Sequence, residues 1–306
     1  MLQRILFSAG VVTATLLASC AQQTGKTSDS MTAGKINVAV DETFKPVIEE
    51  QLKVFHASFP DAQITGLYHP EADCIKDLLN DSARVALVTR QLTAEEKEYC
   101  TTNKIVTRSL DIAKDAITFI THKSVADPKF TVNDIKQILT GTYNKPYTLV
   151  FDNQRSSTVR YVMDSLIPGQ KLSDKIYAAN GCTEVVDYVA KNPEAIGVIG
   201  VSWVSDPSDS VSQTFLNQIN VASIQNPKDG QYYQPYQAYI AMKSYPFTRT
   251  LYFISRETWV GLGTGFVNFL SKERGQLIFK KAMLFPSRMD VIIREVNLNT
   301  KTPAGL

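Results

Sequence analysis

The chain has 306 residues, enough for two domains or one large one. Its 32 basic and 30 acidic side chains nearly cancel, so no basic field points to nucleic acid and no acidic tail is present. A hydrophobic content of 44% is that of an ordinary soluble globular protein.

At the N-terminus Arg4 precedes an uncharged apolar run, residues 5–17, too short to span a bilayer comfortably. The run ends in Leu17-Ala18-Ser19-Cys20, which resembles a bacterial lipoprotein signal. That resemblance implies a signal peptide over residues 1–19, cleavage before Cys20, and a lipid anchor on that cysteine. It places the protein on the periplasmic side of the cell envelope, attached to the membrane by lipid. The glutamines after Cys20, in place of an acidic run, fit that side. Residues 20–35, rich in Gln, Thr, Ser and Gly, read as a flexible tether. Export implies an oxidising compartment, where Cys74, Cys100 and Cys182 allow at most one internal disulfide. Cys74 and Cys100 are the nearest pair in sequence, but spacing cannot establish contact.

Residues 35–40 alternate as a first strand, and Asp41-Glu42-Thr43-Phe44 leads into a helix carrying Val47, Ile48, Leu52 and Phe55. Thr43 is positioned as its N-cap, with Pro46 in the first turn. A strand over 63–68, a helix with Ile75, Leu78 and Leu79, and a strand over 84–89 follow. This alternation predicts an α/β fold with a largely parallel sheet. Further on, a strand over 116–121 precedes a helix over 132–139 that stops at Gly141. Residues 182–189 form a short amphipathic helix and 195–201 a strand. Residues 205–235 are polar and read as surface loops with one small strand. Strands over 239–242 and 250–254, a long helix over 265–282 and a last strand over 292–296 complete the reading.

The stretch most suited to chemistry is Asp152-Asn153-Gln154-Arg155-Ser156-Ser157-Thr158. The apolar run Tyr147-Thr148-Leu149-Val150-Phe151 before it reads as a buried strand. Val159, Val162, Met163 and Leu166 after it repeat at helical spacing, so a helix begins near the two serines. Unpaired N–H groups and hydroxyls at such a start suit an anion, although a serine there also serves as a simple cap.

Several phrases in this order resemble the phosphate-type substrate-binding proteins of ABC importers. They are Asp41-Glu42-Thr43-Phe44, Thr89-Arg90-Gln91-Leu92-Thr93, Ser156-Ser157-Thr158, Pro193-Glu194-Ala195-Ile196-Gly197 and Tyr245-Pro246-Phe247-Thr248-Arg249. The resemblance covers roughly residues 36 to 290 and implies the two-lobed periplasmic-binding-protein type II fold. It implies mixed sheets flanked by helices, with the chain crossing twice at a hinge. One lobe would hold residues 36–115 plus 245–297 and the other residues 116–244. The ligand implied is inorganic phosphate or a similar oxyanion in the interlobe cleft. Thr43 and Phe44 would contact it from one helix start and Ser156, Ser157 and Thr158 from the other. Thr89, Arg90 and Arg155 complete the ligand-binding set. The partner implied is an ABC permease in the inner membrane, the protein acting as a monomer without catalysis, cofactor or nucleic acid.

Three departures from the family pattern stand out. Tyr68-His69-Pro70-Glu71-Ala72-Asp73-Cys74 replaces a Gly-Ser-rich loop, and Arg84 stands where many members carry a proton-accepting aspartate. Asp152 stands where an arginine often precedes the serines, with Arg155 beside them instead. These departures keep open a sensory or adaptor lipoprotein on the same fold, binding another ligand or a protein. If Thr43 and Ser157 face each other across one cleft, the transport reading is favoured; if they diverge, or if Glu71 fills that cleft, the adaptor reading gains. His69, Glu71, Asp73 and Cys74 could each ligate a metal, but their spacing matches no established cluster. No GxSxG, HExxH or P-loop pattern supports an enzyme.

Overall fold

A computed structural model describes residues 29–204 and 210–289. The N-terminal signal with Cys20, and the strand expected over 292–296, lie outside the described residues. Strand β1 (Gly34–Asp41) passes through a 3-10 turn (Glu42–Phe44) into α1 (Lys45–Ser58), then β2 (Ala62–His69), α2 (Glu71–Leu79) and β3 (Val85–Val88). Helix α3 (Ala94–Thr102) leads to the long β4 (Arg108–His122), followed by β5 (Lys129–Phe130), α4 (Val132–Thr140) and β6 (Thr148–Phe151). Helix α5 (Ser157–Tyr161) continues as a π-helical turn, and β7 (Ile176–Ala178), α6 (Cys182–Lys191) and β8 (Ala195–Gly200) come next. Then come α7 (Ser210–Gln218), β9 (Ile219–Val221), β10 (Ser223–Gln225), β11 (Tyr232–Tyr233) and α8 (Gln237–Ala241). The described chain ends with β12 (Thr248–Ser255), α9 (Leu262–Ser271), α10 (Glu273–Lys281) and β13 (Phe285–Pro286).

The main sheet runs β2-β1-β3-β12-β4-β8-β6-β7, and β4 belongs to both of its halves. Up to Ala116, β4 pairs antiparallel with β12; from Ile117 to Thr121 it pairs antiparallel with β8. β1 is parallel to β2 and β3, and β6 is parallel to β7 and β8. The sheet is therefore mixed, with one strand shared by the two lobes.

The inner strands β3, β6 and β8 are buried on both faces, which explains why they read as unbroken apolar runs. In the first half, Val38, Val40, Val85 and Leu87 face a cluster with Phe55, Phe266 and Phe279. The intervening Ala39, Ala86 and Val88 face Cys74, Ile75 and Leu78 of α2. In the second half Leu149, Phe151 and Phe119 point to one cluster, and Val150 and Ile120 to another with Val185 and Val189. This is the period-two alternation of a strand with helices above and below.

Several expected elements differ. Strand β4 begins eight residues before the apolar run that predicts it, since its polar first half is fixed by pairing with β12 rather than by hydrophobicity. The segment expected as a strand over 239–242 lies instead in helix α8 and the residue after it, an ambiguity inherent in a short apolar run. The single helix expected over 265–282 is two, broken where Lys272 adopts an extended conformation (φ −94°, ψ 173°). Gly275 lets the second helix fold back closely, because a Cβ there would lie 2.4 Å from the Phe269 carbonyl oxygen. Residues 210–233 hold a helix and short strands where loops with one strand were expected. Gly141 ends α4 in the left-handed conformation (φ 74°), as its place in the sequence predicts.

Candidate functional site

Two chain turns meet at the junction of the halves. One follows β1 and the other follows β6. In the first, Asp41 Oδ1 accepts from the Thr43 N–H at 3.1 Å, so Asp41, not Thr43, caps the turn. The expectation of Thr43 as a cap is thereby corrected, and its hydroxyl is left for other partners. In the second, Ser156 Oγ accepts from the Val159 N–H at 3.3 Å and caps α5. Ser157, one residue on, turns its hydroxyl inward.

The two turns face each other. The hydroxyls of Thr43 and Ser157 lie 3.5 Å apart, and those of Thr43 and Thr158 each donate to Asp152 Oδ2 at 3.4 Å. Arg249, on β12, donates from Nη1 to Ser157 Oγ at 2.7 Å and from Nε to Asp115 Oδ2 at 2.7 Å. Its guanidinium also lies over the Phe44 ring, 5.2 Å from the centroid. Trp203 Nε1 donates to the Thr43 carbonyl at 2.8 Å, tying the first turn to the end of β8. Thr43, Asp41, Asp115, Asp152, Ser157 and Thr158 are all fully buried. Gly200 makes the approach possible: a Cβ there would lie 2.5 Å from Thr43 Cγ2 and 3.2 Å from Arg249 Nη2.

Taking this many charges out of water shifts their protonation. Burial, reinforced by the charge of Glu71 and opposed by Arg249, pushes Asp41 up to about 7. Burial and then the charges of Asp152, Asp41 and Asp73 push Glu42 up to about 7. Asp115 and Asp152 are also raised by burial, with Arg249 pulling each back. Burial also works against the Arg249 cation, but Asp115 and Asp41 more than offset it. Asp41 Oδ2, Glu42 Oε1 and Arg249 Nη2 are buried with no hydrogen-bond partner among the described residues. Over 90% of buried polar groups are normally paired, and each orphan costs roughly 1–3 kcal/mol. These two carboxyl oxygens, the orphan Asp115 Oδ1 and the orphan guanidinium nitrogen all belong to this one cluster.

A family model described as a PBP superfamily domain matches residues 25–273. The chain belongs to the PBP superfamily. No curated protein matches this PBP-superfamily chain. Among solved structures it is similar to a protein from Clostridium perfringens assigned as a phosphate ABC transporter substrate-binding protein, with bound phosphate. That pair shares 22% identity with a TM-score of 0.69, covering 83% of this chain and 99% of the other. An ABC-type phosphate transport receptor from Vibrio cholerae is 14% identical, TM-score 0.61, over 83% of this chain and all (100%) of that one. PstS from Borrelia burgdorferi is 18% identical, TM-score 0.52, over 82% and 98% of the two chains. Likeness at these identities establishes the fold alone, a two-lobed α/β architecture.

Within this PBP-superfamily chain the residues singled out from sequence divide into two groups. Thr43, Phe44, Ser157 and Thr158 meet in the buried cluster, with Ser156 beside them as a cap. Thr89 lies to one side, giving its N–H and hydroxyl to Glu71 Oε1 at 2.6 and 2.7 Å. Arg90 is held away by a two-pronged pair with Glu96 at 2.7 and 2.8 Å. Arg155 is exposed and pairs with Asp73 at 2.8 Å. Neither Arg90 nor Arg155 reaches the Thr43–Ser157 cluster; the guanidinium there is Arg249. In the sequence Arg249 stands only within the phrase Tyr245–Arg249, with no local pattern that gives it a role. Arg160 was also passed over, yet its Nε donates to Glu71 and its Nη2 to Thr89 Oγ1 at 2.8 Å, joining the lobes. Arg160 stands three residues after Ser157, on the same helical face, which is the signal that could have flagged it.

Arg84, which replaces a family aspartate, pairs with Asp29 at 2.5 Å and with Glu257, outside this cluster. Among the described residues no group of three or more His, Cys, Asp or Glu side chains is arranged to hold a metal. Cys74, Cys100 and Cys182 are free, buried thiols, so the Cys74–Cys100 pairing left open from the sequence is not formed.

Proposed function

We propose that this protein captures phosphate or a related oxyanion between its lobes and presents it to an ABC permease for import. The observation that carries the reading is Arg249, a buried guanidinium with one free N–H edge among the Thr43, Ser157 and Thr158 hydroxyls. Hydroxyls and a guanidinium are the donors an oxyanion requires, and the planar fork of arginine suits two oxygens at once. The solved relatives named for phosphate transport support the same ligand class.

The unpartnered carboxyl oxygens of Asp41 and Glu42 refine the ligand. With pKa values near 7, these groups accept a proton readily, so an anion that still carries a proton can donate to one of them. Hydrogenphosphate satisfies that condition and sulfate does not. The protein carries out no bond-breaking step. It works by closing about the crossings at Asp115–Ala116 and Phe247–Thr248, where β4 and the segment leading into β12 pass between the lobes. Thr43 and Ser157 face each other, which favours transport, whereas the buried Glu71, bound across the lobes by Arg160, is the feature that favours the adaptor alternative.

We place the protein on the periplasmic side of the cell envelope, as a monomer tethered to a membrane by a lipid on Cys20. No helix among the described residues is long and apolar enough to cross a membrane. Labelled fatty acid should enter the wild-type protein and not Cys20→Ala. For the ligand, calorimetry with inorganic phosphate, sulfate and a phosphate monoester is decisive. If none binds more tightly than about 1 mM, equivalent to ~4 kcal/mol, the oxyanion reading fails.

A further inference from the structure

The charge at the centre of the cluster is the wrong sign for an anion site. Asp152 closes β6, is fully buried, and places Oδ2 among donors from both lobes. The Thr43 and Thr158 hydroxyls donate to that oxygen at 3.4 Å, and the Cys182 thiol points to it at 4.0 Å. Its other oxygen, Oδ1, accepts from the Asn153 N–H at 3.1 Å. Each hydroxyl has one proton to give, so a proton given to Asp152 is withheld from any ligand.

We propose that Asp152 is a tethered competitor, its carboxylate holding the hydroxyl donors that an incoming oxyanion must take over, and so setting a weakened affinity and a bias against dianions. This rests on the oxyanion reading above. The groups facing Asp152 sharpen it. Arg249 faces it from β12, Glu42 from the 3-10 turn and Cys182 from α6. Burial pushes the Cys182 thiol far up, so it stays protonated and serves only as a weak donor. Arg249 is the one cation of that group, and Asp115 already shares it. An entering anion therefore meets a like charge with little to offset it, unless Asp152 takes a proton or rotates away. Neutralising residue 152 frees the hydroxyls and removes the repulsion together.

The test uses Asp152→Asn, with Asp152→Ser as a second, smaller replacement, each checked for folding by thermal unfolding. Calorimetry with inorganic phosphate, sulfate and nitrate compares them with wild type at one pH. The expected result is phosphate and sulfate binding tightened by about tenfold or more, roughly one decade in Kd, with sulfate gaining more than nitrate. Binding by the variants alone, with none by wild type, defeats the oxyanion reading for this chain and overturns the inference with it. Unchanged or weaker binding in the folded variants, beside intact wild-type binding, overturns it and leaves the oxyanion reading standing. An equal gain for sulfate and nitrate also overturns it, because added space rather than lost charge then explains the effect. Absence of binding in every protein removes the oxyanion reading and this inference with it. A crystal structure of wild type with phosphate decides independently of the variants. Asp152 Oδ2 should have given up the Thr43 and Thr158 hydroxyls, and contacts kept with the ligand bound would refute the competition.

Discussion

Arg249 Nη1 donates to Ser157 Oγ at 2.7 Å, joining strand β12 to the start of α5 across 92 residues of sequence. The same guanidinium pairs with Asp115 on β4, so one buried cation holds the crossing strands and the Ser157 hydroxyl in register. Removing it should act on binding and stability by separable routes.

Arg249→Gln is expected to weaken phosphate binding at least a hundredfold, about 2.8 kcal/mol. It should also cost roughly 3–5 kcal/mol of stability, because Asp115 is left buried and unpaired. The Asp115→Asn/Arg249→Gln double variant should recover most of that stability and none of the binding. Denaturant unfolding and calorimetry on the three proteins read both effects; recovery of binding in the double variant would contradict the ligand role.

The adjacent serines make a matched pair. Ser156 caps α5 through the Val159 N–H, so Ser156→Ala should cost about 1 kcal/mol of stability with little change in affinity. Ser157 faces Arg249 and Thr43, so Ser157→Ala should weaken phosphate binding about tenfold with a smaller stability change, as expected for one lost hydrogen bond to a charged group. The opposite assignment of effects would show that the cap, not its neighbour, meets the ligand.

The carboxyl of Asp41 gives a pH signature. Its pKa is raised from 3.8 to about 7, so between those values the folded protein holds a proton the unfolded chain has lost. Stability from this group is present below pH 4 and is lost as pH rises through 7. Asp41→Asn should therefore melt higher than wild type at pH 8, with the difference vanishing near pH 4. A difference independent of pH would show that Asp41 titrates normally. Anion binding raises the same group further, so phosphate capture should take up protons near pH 7. Calorimetry in two buffers of different ionisation enthalpy measures that uptake.

Gly200 packs against Thr43 and Arg249 where even a methyl group has no room. Gly200→Ala should hold the two turns apart and weaken phosphate binding by about tenfold, one decade in Kd. Small-angle scattering with saturating phosphate should show less compaction than in wild type. Equal compaction and equal affinity would mean the site closes without this contact.

The strands were legible because burial on both faces leaves an apolar run, as in residues 85–88 and 195–200. The start of α5 was legible from hydroxyls preceding a helical repeat. Residues 239–242 were misread because four apolar residues fit either period. The break at Lys272 was missed because the apolar spacing continues through it, while the chain reverses on contacts of Gly275 that spacing does not encode. Arg90 and Arg155 had been favoured for the site on resemblance and on nearness to the serines. Glu96 and Asp73 hold them elsewhere, and nearness along the chain says nothing of partners in space.

By itself the sequence determined the α/β order, the buried strands, and two hydroxyl-bearing turns of a kind that suits an anion. Those properties are local, set by the alternation of apolar residues and by capping chemistry within a few positions. Only the tertiary structure decided which charges share the cleft. Arg249, Asp115, Asp152 and Asp41 come from four strands or their ends and meet where the lobes cross. Their burial, their raised carboxyl pKa values and the contest between Asp152 and an incoming anion arise from that meeting, because desolvation and Coulomb energy depend on distance through space.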